Sequence, residues 1–194
     1  MKQNTKKTQD ETVEISKFLS LVLRHNPDLI GLRLDSNGWA DVDDLIARTN
    51  AMRQSHGKPS IDKAKLDEVV RNNDKKRFAY SANGWKIRAS QGHSIEVDLK
   101  LSPKTPPEFL YHGTARKNLH AVSIGGLKKM NRNHVHLSDN MATATQVGQR
   151  YGYPTVLRIK ALEMSKDGHD FFLSDNNVWL TDSVPTKYIE VDWK

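Results

Sequence analysis

Residues 78–88 read FAYSANGWKIR, two short segments with aromatic and β-branched residues on either side of Asn83-Gly84. Such residues are typical of β-strands, and an Asn-Gly pair between two strands favours a tight hairpin turn, because both residues tolerate positive φ. The stretch therefore predicts a β-hairpin. Its place in a fold depends on what precedes it.

The first predicted helix is marked by its apolar spacing. Pro27 disfavours helical geometry at Asn26, so this helix is expected to end near His25. Residues 1–12 are polar and lack periodic apolar positions, and we predict a flexible tail there. The apolar residues at i, i+3, i+4 and i+7, which share one helix face, are Ile15, Phe18, Leu19 and Val22.

Two more helices are predicted before the hairpin. The acidic start of residues 41–46 suits the positive end of a second helix, and Ser60 is predicted to cap a third. Residues 32–34 are a candidate short strand. Three helices followed by a hairpin give the order of a winged helix, so we predict a winged-helix lobe over residues 13–95.

The second half of the chain has a different pattern. Periodicity weakens over 96–108, where SPKTPP at 102–107 favours an extended linker. Residues 109–194 then alternate short strands with helices, including a helix over 139–150 that Ser138 is expected to cap, so the predicted fold class is α+β. The predicted strands are 109–113, 135–137, 155–159, 171–173, 178–180 and 188–191.

Composition limits the classes of function. The chain of 194 residues has no cysteine, which excludes disulfides and thiolate chemistry. No apolar stretch is long enough for a membrane span, and the N-terminus has no secretory pattern, so a cytoplasmic protein is expected. The net charge of +7 favours a polyanionic partner such as RNA, or serves solubility alone. No GxGxxG or Walker loop occurs in the sequence.

Arg24 and His25 form an adjacent pair at the end of the first predicted helix. A permanent cation beside a titratable imidazole can bind a phosphate and transfer a proton. A cation is also favourable at a helix C-terminus for electrostatic reasons alone. The pair by itself does not separate these two interpretations.

A second group of cations surrounds the predicted hairpin. Arg77 ends the run Asp74-Lys75-Lys76 just before it, and its planar guanidinium could clamp a phosphate monoester through two hydrogen bonds. Arg88 and the segment Gln91-Gly92-His93-Ser94 follow. The alternative is a solvated, positively charged turn.

Three histidines mark the second half: His112 in YHGT, and His134 and His136 in HVHLS. Strand alternation places the last two on one face. They could form a three-histidine zinc site, line a pocket for a polar cofactor that Gly113 lets approach closely, or be one core and one exposed residue. Arg150, at a predicted helix end, is either a helix-terminal cation or a second phosphate-binding guanidinium.

Taken together, these segments resemble the RNA (tRNA) 2′-phosphotransferase family from Ile15 to Trp193. The resemblance rests on the order and number of the matching stretches. They are SKFLSLVLRH (16–25), GWADV (38–42), KRF (76–78), RASQGHS (88–94), YHGT (111–114), HVHLS (134–138) and VWLT (178–181).

The resemblance implies a winged-helix lobe and a C-terminal ADP-ribosyltransferase lobe that binds NAD⁺ as co-substrate, with no metal. Val178 is the third, hydrophobic position of the NAD⁺ signature, although Asn177 stands where a glycine is common. The implied catalytic residues are Arg24, His25, Arg77 and Arg150. The implied NAD⁺-binding residues are His112, Gly113, Thr114, His136, Leu137, Ser138 and Val178. Contacts with RNA or its phosphate are implied for Arg77, Arg150, Gln91, His93 and Ser94.

The implied reaction moves an internal 2′-phosphate from RNA, of the tRNA splice-junction type, to NAD⁺. Its products are 2′-OH RNA, ADP-ribose 1″,2″-cyclic phosphate and nicotinamide. Two alternatives stay open: an ADP-ribosyltransferase acting on another acceptor, such as a nucleic-acid terminal phosphate, and a non-enzymatic winged-helix RNA binder. The lack of coiled-coil heptads favours a monomer.

Overall fold

The computed structural model describes residues 2–191, with side chains from residue 10 onward. Met1, the first residue of the predicted tail, and residues 192–194, the last of the predicted second lobe, lie outside the described residues. The chain divides into two units between Lys100 and Leu101, a point that falls within the predicted linker. Helices and small antiparallel sheets are mixed, which confirms the α+β class.

In its described residues, the first unit contains three α-helices and one small sheet. The elements are α1 (Lys2–Arg24), β1 (Ala40–Asp41), α2 (Val42–Ser55), α3 (Lys63–Arg71), β2 (Phe78–Tyr80) and β3 (Lys86–Ala89). A 3₁₀ helix, Pro27–Ile30, follows α1. The sheet has the strand order β1-β3-β2, and Ala79 pairs with Arg88 across the antiparallel β2–β3 pair, which confirms the predicted hairpin.

The N-terminal segment corrects the prediction of a flexible tail over 1–12. Helix α1 begins at Lys2, well before its apolar face begins. Lysine, glutamine and glutamate have good helix propensity and extend a helix that tertiary packing has already nucleated. Glu11 also pairs with Arg53 at 2.7 Å, and Thr12 donates a hydrogen bond to Glu68 at 3.2 Å. The pattern of apolar residues therefore marked where α1 is buried, and the helix is longer than that.

Two other local predictions were wrong. Asp62, not Ser60, caps α3, because its carboxylate accepts a hydrogen bond from the Lys65 amide at 2.7 Å. Residues 32–34 form no strand among the described residues, although Leu32 is buried. The third strand of the sheet is the two-residue β1, which immediately precedes α2.

The core of the first unit lies between the three helices and the sheet. Predicted face residues of α1 meet buried side chains of α2, α3 and β3, and the residues that follow are at most 1% exposed. They include Ile15, Leu19, Val22, Leu45, Leu66, Val69 and Ile87.

In its described residues, the second unit contains three α-helices and three small antiparallel sheets. The elements are β4 (Leu110–Ala115), α4 (Leu119–Gly125), β5 (Leu127–Lys128), β6 (Val135–Leu137), α5 (Met141–Gly148), β7 (Pro154–Ile159), α6 (Ala161–Lys166), β8 (Phe172–Leu173), β9 (Trp179–Thr181), β10 (Ser183–Val184) and β11 (Ile189–Val191). The sheet orders are β11-β7-β4, β6-β9-β8 and β10-β5. An isolated bridge between Tyr111 and Ser138 connects the first two sheets.

All six strands predicted in this half are confirmed within one or two residues at their ends. Helix α5 begins later than predicted, and its cap is Asn140, whose side chain accepts a hydrogen bond from the Thr143 amide. Ser138 instead accepts one from the Asn140 amide at 3.0 Å, so it supports the turn that precedes the cap. None of the helices among residues 2–191 has the length and apolar character that a membrane crossing requires.

Candidate active site

Arg24 is the last residue of α1, where two hydrogen bonds attach it to other parts of the first unit. Its guanidinium Nη2 donates to the backbone carbonyl of Arg77 at 3.4 Å, and its own carbonyl accepts from the Ser94 amide at 2.9 Å. The helix end thus meets the segments on both sides of the predicted hairpin. Arg24, Arg77 and Ser94 lie together in this unit.

Arg77 is held by a buried asparagine that the sequence analysis did not single out. Asn73 Oδ1 accepts hydrogen bonds from the Arg77 amide and from Arg77 Nη1, each at 3.2 Å. The other end of the same amide, Nδ2, donates to Ser16 Oγ of α1 at 2.7 Å. Asn73 follows Asn72, the C-cap residue of α3. In the sequence it therefore resembles any polar residue of a turn that ends a helix.

His25 is exposed, and its Nδ1 lies 2.9 Å from Ser94 Oγ. The hydroxyl can accept from a protonated Nδ1 or donate to an unprotonated one, so it orients the ring in either state. The backbone amide of Ser94 donates to the carbonyl of Arg24, so the residue that orients the His25 ring is itself held against the end of α1. Gln91 is half-buried just after β3.

His93 is only 2% exposed, which argues against the predicted direct contact with RNA. Burial, reinforced by the positive charges of Arg24, His25 and Arg88, lowers the pKa of His93 to about 4. The ring is therefore neutral at pH 7. Arg88, whose guanidinium stacks 4.5 Å from the centre of the Trp39 ring, completes a cluster of positive charge around it.

In the second unit, His112 and His136 are brought together on neighbouring strands. His112 Nδ1 lies 3.0 Å from the backbone carbonyl of His136, and a carbonyl can only accept, so Nδ1 carries the proton. Burial, opposed by this hydrogen bond and reinforced by the charge of Arg132, lowers the pKa of His112. The ring is thus neutral, with Nε2 as a hydrogen-bond acceptor.

The tautomer of His136 is set by a residue that the sequence analysis missed. Arg132 Nη1 lies 3.1 Å from His136 Nδ1, and a guanidinium only donates. Nδ1 of His136 is therefore the acceptor and Nε2 carries the ring proton. The two histidines have opposite tautomers, so together they offer one acceptor and one donor nitrogen.

Gly113 lies where β4 packs most closely against α5. A Cβ atom at this position would be 1.7 Å from the carbonyl oxygen of Ala144, and a second one at Gly148 would be 2.9 Å from the Thr114 carbonyl oxygen. Two glycines thus allow strand and helix backbones to touch. The Thr114 hydroxyl is buried and accepts a hydrogen bond from Asn118 at 3.1 Å.

The remaining residues predicted to bind NAD⁺ differ in how they are placed. The side chain of Leu137 belongs to the core of the second unit at 2% exposure, so a contact through this side chain is not available. Ser138 is half-buried, and its backbone is paired with Tyr111. Val178 is half-buried before β9. Asn177 has φ 59°, which explains why glycine suits this position and why asparagine can replace it.

Arg150 is exposed in a 3₁₀ helix, Gln149–Tyr151, that follows α5. His134 stacks edge-on against Phe172, with ring centres 5.8 Å apart, and lines a cavity of about 330 Å³ together with Asp170 and Asp182. Across residues 2–191, no three histidine or acidic side chains are grouped in a way that could hold a metal ion. The three histidines of the sequence analysis therefore do not form a metal cluster in the described part.

Comparison with known proteins shows the family to which the chain belongs. Residues 10–183 match the family described as RNA 2′-phosphotransferase, Tpt1 / KptA family. A probable RNA 2′-phosphotransferase of Flavobacterium johnsoniae is 56% identical over 176 residues, which cover 91% of this chain and 94% of that protein. Proteins of the same description from Streptomyces coelicolor and Rhodopirellula baltica are 51% and 52% identical, over 93% and 94% of this chain and 96% and 97% of their own. The chain therefore belongs to the RNA 2′-phosphotransferase family.

Proposed function

We propose that this protein is an NAD⁺-dependent RNA 2′-phosphotransferase that removes an internal 2′-phosphate from RNA. The observation that carries the proposal is the grouping of Arg24, His25 and Arg77 in one unit of a chain that belongs to this family. Two guanidiniums offer planar donors to phosphate oxygens, and the neighbouring imidazole can give a proton to a departing oxygen.

The first unit is, in this proposal, a winged-helix lobe that binds RNA. Its three helices and three-stranded sheet, with the hairpin β2–β3 as the wing, support the assignment. The excess of positive charge favours a polyanion because each phosphate contact releases counterions. We propose tRNA with a splice-junction 2′-phosphate as the substrate class. Of the RNA-contact residues, Ser94 is exposed and Gln91 is half-buried, whereas His93 would act from beneath the surface.

The second unit is proposed to be an ADP-ribosyltransferase-like lobe that takes NAD⁺ as co-substrate. The residues fit a molecule rich in ribose hydroxyl groups: His112 offers a neutral acceptor nitrogen, and the His136 ring nitrogen opposite Arg132 carries a proton that it can donate. His112 and Ser138 would hold the nicotinamide half of NAD⁺, and Val178 would supply a hydrophobic contact, with Gly113 and Thr114 supporting β4. The contact assigned to Leu137 would have to come from its backbone.

The reaction has two steps. In the first, an oxygen of the RNA 2′-phosphate bonds to C1″ of the nicotinamide ribose, and the bond from C1″ to nicotinamide breaks with its electron pair on nicotinamide. In the second, the ribose 2″-hydroxyl attacks phosphorus and loses its proton, the bond from phosphorus to the RNA 2′-oxygen breaks, and that oxygen gains a proton. Cations are most valuable in the second step, where charge builds on phosphoryl oxygens and on a poor leaving group.

Each cation has a role in this scheme. Arg77 and Arg150 would clamp the phosphate oxygens. Arg24 would stabilise the charge that develops on them, and His25, oriented by Ser94, would protonate the departing 2′-oxygen. Removal of one well-placed donor of this kind costs about 10²–10³ in rate.

The experiment incubates a 2′-phosphorylated oligonucleotide with NAD⁺ and identifies the products by mass. We expect 2′-OH RNA, nicotinamide and ADP-ribose cyclic phosphate, and a His25→Ala variant about 10²–10³ slower. His56→Ala, which removes another exposed histidine of the same unit, is the matched control. Nicotinamide release with ADP-ribose retained on the RNA as the final product would favour an ADP-ribosyltransferase, and no reaction with NAD⁺ would favour an RNA-binding protein.

A further inference from the structure

Asn73 joins three parts of the first unit through one side-chain amide. Its oxygen accepts from the amide and the guanidinium of Arg77, at 3.2 Å each, and its nitrogen donates to Ser16 at 2.7 Å. Asn73 is 7% exposed, and the bond to Ser16 is buried. A buried amide with both ends bonded is costly to rotate, because rotation would leave several polar groups unsatisfied.

The same link reaches Arg24. The carbonyl of Arg77, the residue that Asn73 fixes, accepts hydrogen bonds from Arg24 Nη2 at 3.4 Å and from the Ser90 amide at 2.8 Å. The backbone at residue 77 is thus held by Asn73 through its N–H and by Arg24 and Ser90 through its carbonyl. Lys76, one residue earlier, has φ 42°, an uncommon conformation that such bonds maintain.

A carboxylate at this position could make the same hydrogen bonds, but with a different electrostatic result. Aspartate has the shape of asparagine and would accept from Arg77 while Ser16 donates to it. Its negative charge would, however, cancel much of the guanidinium charge at close range. The amide orients Arg77 through a dipole and adds no negative charge beside the guanidinium.

We propose that Asn73 is a positioning residue for the phosphate step, a neutral clip that fixes the Arg77 guanidinium against α1 without cancelling its charge. The inference rests on the proposed role of Arg77 in binding the 2′-phosphate. Asn73→Ala removes the hydrogen bonds that orient Arg77. Asn73→Asp keeps hydrogen bonds to Arg77, but its carboxylate compensates much of the positive charge of the guanidinium. Both variants therefore weaken recognition of the phosphate, for different reasons.

The test measures how much the 2′-phosphate contributes to RNA binding. Dissociation constants are determined for one oligonucleotide with and without its 2′-phosphate, in the absence of NAD⁺, for the wild type and for Arg77→Ala, Asn73→Ala, Asn73→Asp and Asn72→Ala. Asn72 is the exposed neighbour and serves as the matched control. Thermal melting of each variant reports folding, and the KM for NAD⁺ reports the second unit.

We expect the preference for the phosphorylated oligonucleotide to fall about ten- to hundredfold in Arg77→Ala and in both Asn73 variants, as for loss of one charge-assisted hydrogen bond. Asn72→Ala should retain it, and the KM for NAD⁺ should stay unchanged in all variants. Asn73→Asp should melt near the wild type even if Asn73→Ala does not fold. A loss of stability without a loss of preference would overturn the positioning role. If Arg77→Ala keeps the preference, the proposed function of Arg77 fails, whereas a fall in Arg77→Ala alone refutes only the inference about Asn73.

Discussion

Gly113 sets how closely β4 approaches α5, so a single methyl group at this position is a sensitive test of the second unit. In a Gly113→Ala variant the new Cβ would lie 1.7 Å from the Ala144 carbonyl oxygen, 2.6 Å from the carbonyl carbon of Ala144 and 2.9 Å from the Gly148 nitrogen. All three atoms belong to the backbone, so no rotation of a side chain removes the clash. Strand and helix must move apart.

The required movement sets the size of the effect. A carbon atom approaches a carbonyl oxygen to about 3.3 Å at closest, so the two elements must separate by roughly 1.5 Å. Inserting one methylene into a packed interior costs about 1–3 kcal/mol, and a clash with backbone belongs at the upper end. For a domain of up to 100 residues, about 3 kcal/mol corresponds to a fall in Tm of about 12–24 °C.

Thermal unfolding followed by circular dichroism or calorimetry measures this fall. Gly125→Ala is the matched control in the same unit, because its Cβ would meet only the end of the Lys128 side chain, at 3.6 Å. This control should melt within a few degrees of the wild type. A Gly113→Ala protein that melts together with Gly125→Ala would show that β4 and α5 can separate without cost, and would refute the argument from close packing.

Three further predictions concern the first unit. Ser94→Ala removes the hydroxyl 2.9 Å from His25 Nδ1 and should slow dephosphorylation of the 2′-phosphorylated oligonucleotide about two- to tenfold under single-turnover conditions; an unchanged rate would show that His25 needs no such orientation. The pKa of His93 is about 4 in the folded protein against 6.5 ordinarily, so the unfolded chain binds the proton more tightly. The contribution of neutral His93 to the free energy of unfolding is therefore fully present above about pH 6.5 and is lost as the pH falls towards 4. The loss is at most about 3 kcal/mol, and in urea titrations at several pH values His93→Gln should lose less than the wild type; parallel curves would contradict this. Glu11→Gln weakens the ion pair with Arg53, whose side chain is 8% exposed, and should lower the free energy of unfolding by about 1–2 kcal/mol in the same titrations; no change would mean that the early turns of α1 contribute nothing.

Elements with a strong local signal could be predicted from the sequence. The hairpin β2–β3 combines strand-forming residues with an Asn-Gly turn, and β6 and β7 have apolar positions on a core-facing side. The two-residue strands β1, β5 and β10 carry no such signal, because their pairing depends on a distant partner. Helix α1 was underestimated for a related reason: packing of its apolar face stabilises polar turns that have no apolar pattern of their own.

In the candidate site, too, some features could be predicted from the sequence and others could not. Its residue types were recognisable as motifs, so Arg24, His25 and Arg77 could be named in advance. The contacts that orient them join residues far apart in the sequence, such as Asn73 and Ser16, separated by 57 positions. Spacing in one dimension cannot place such a pair. Nor could it show that His93, named as an RNA contact, is enclosed among the cations.

The side-chain and backbone oxygens that hold the arginines of the first unit include both carboxylates and neutral groups. Arg53 is buried and meets the carboxylates of Glu11 and Glu14, which compensate its charge. Arg24 donates one hydrogen bond to the backbone carbonyl of Arg77, and Arg77 donates one to the side-chain oxygen of Asn73. A neutral acceptor orients a guanidinium and leaves its field available to an incoming phosphate, whereas a carboxylate would compete with the phosphate for it. If Arg77 binds the 2′-phosphate as proposed, the amide at residue 73 orients its guanidinium without adding a negative charge that would compete with the phosphate, and the Asn73→Asp variant tests this difference.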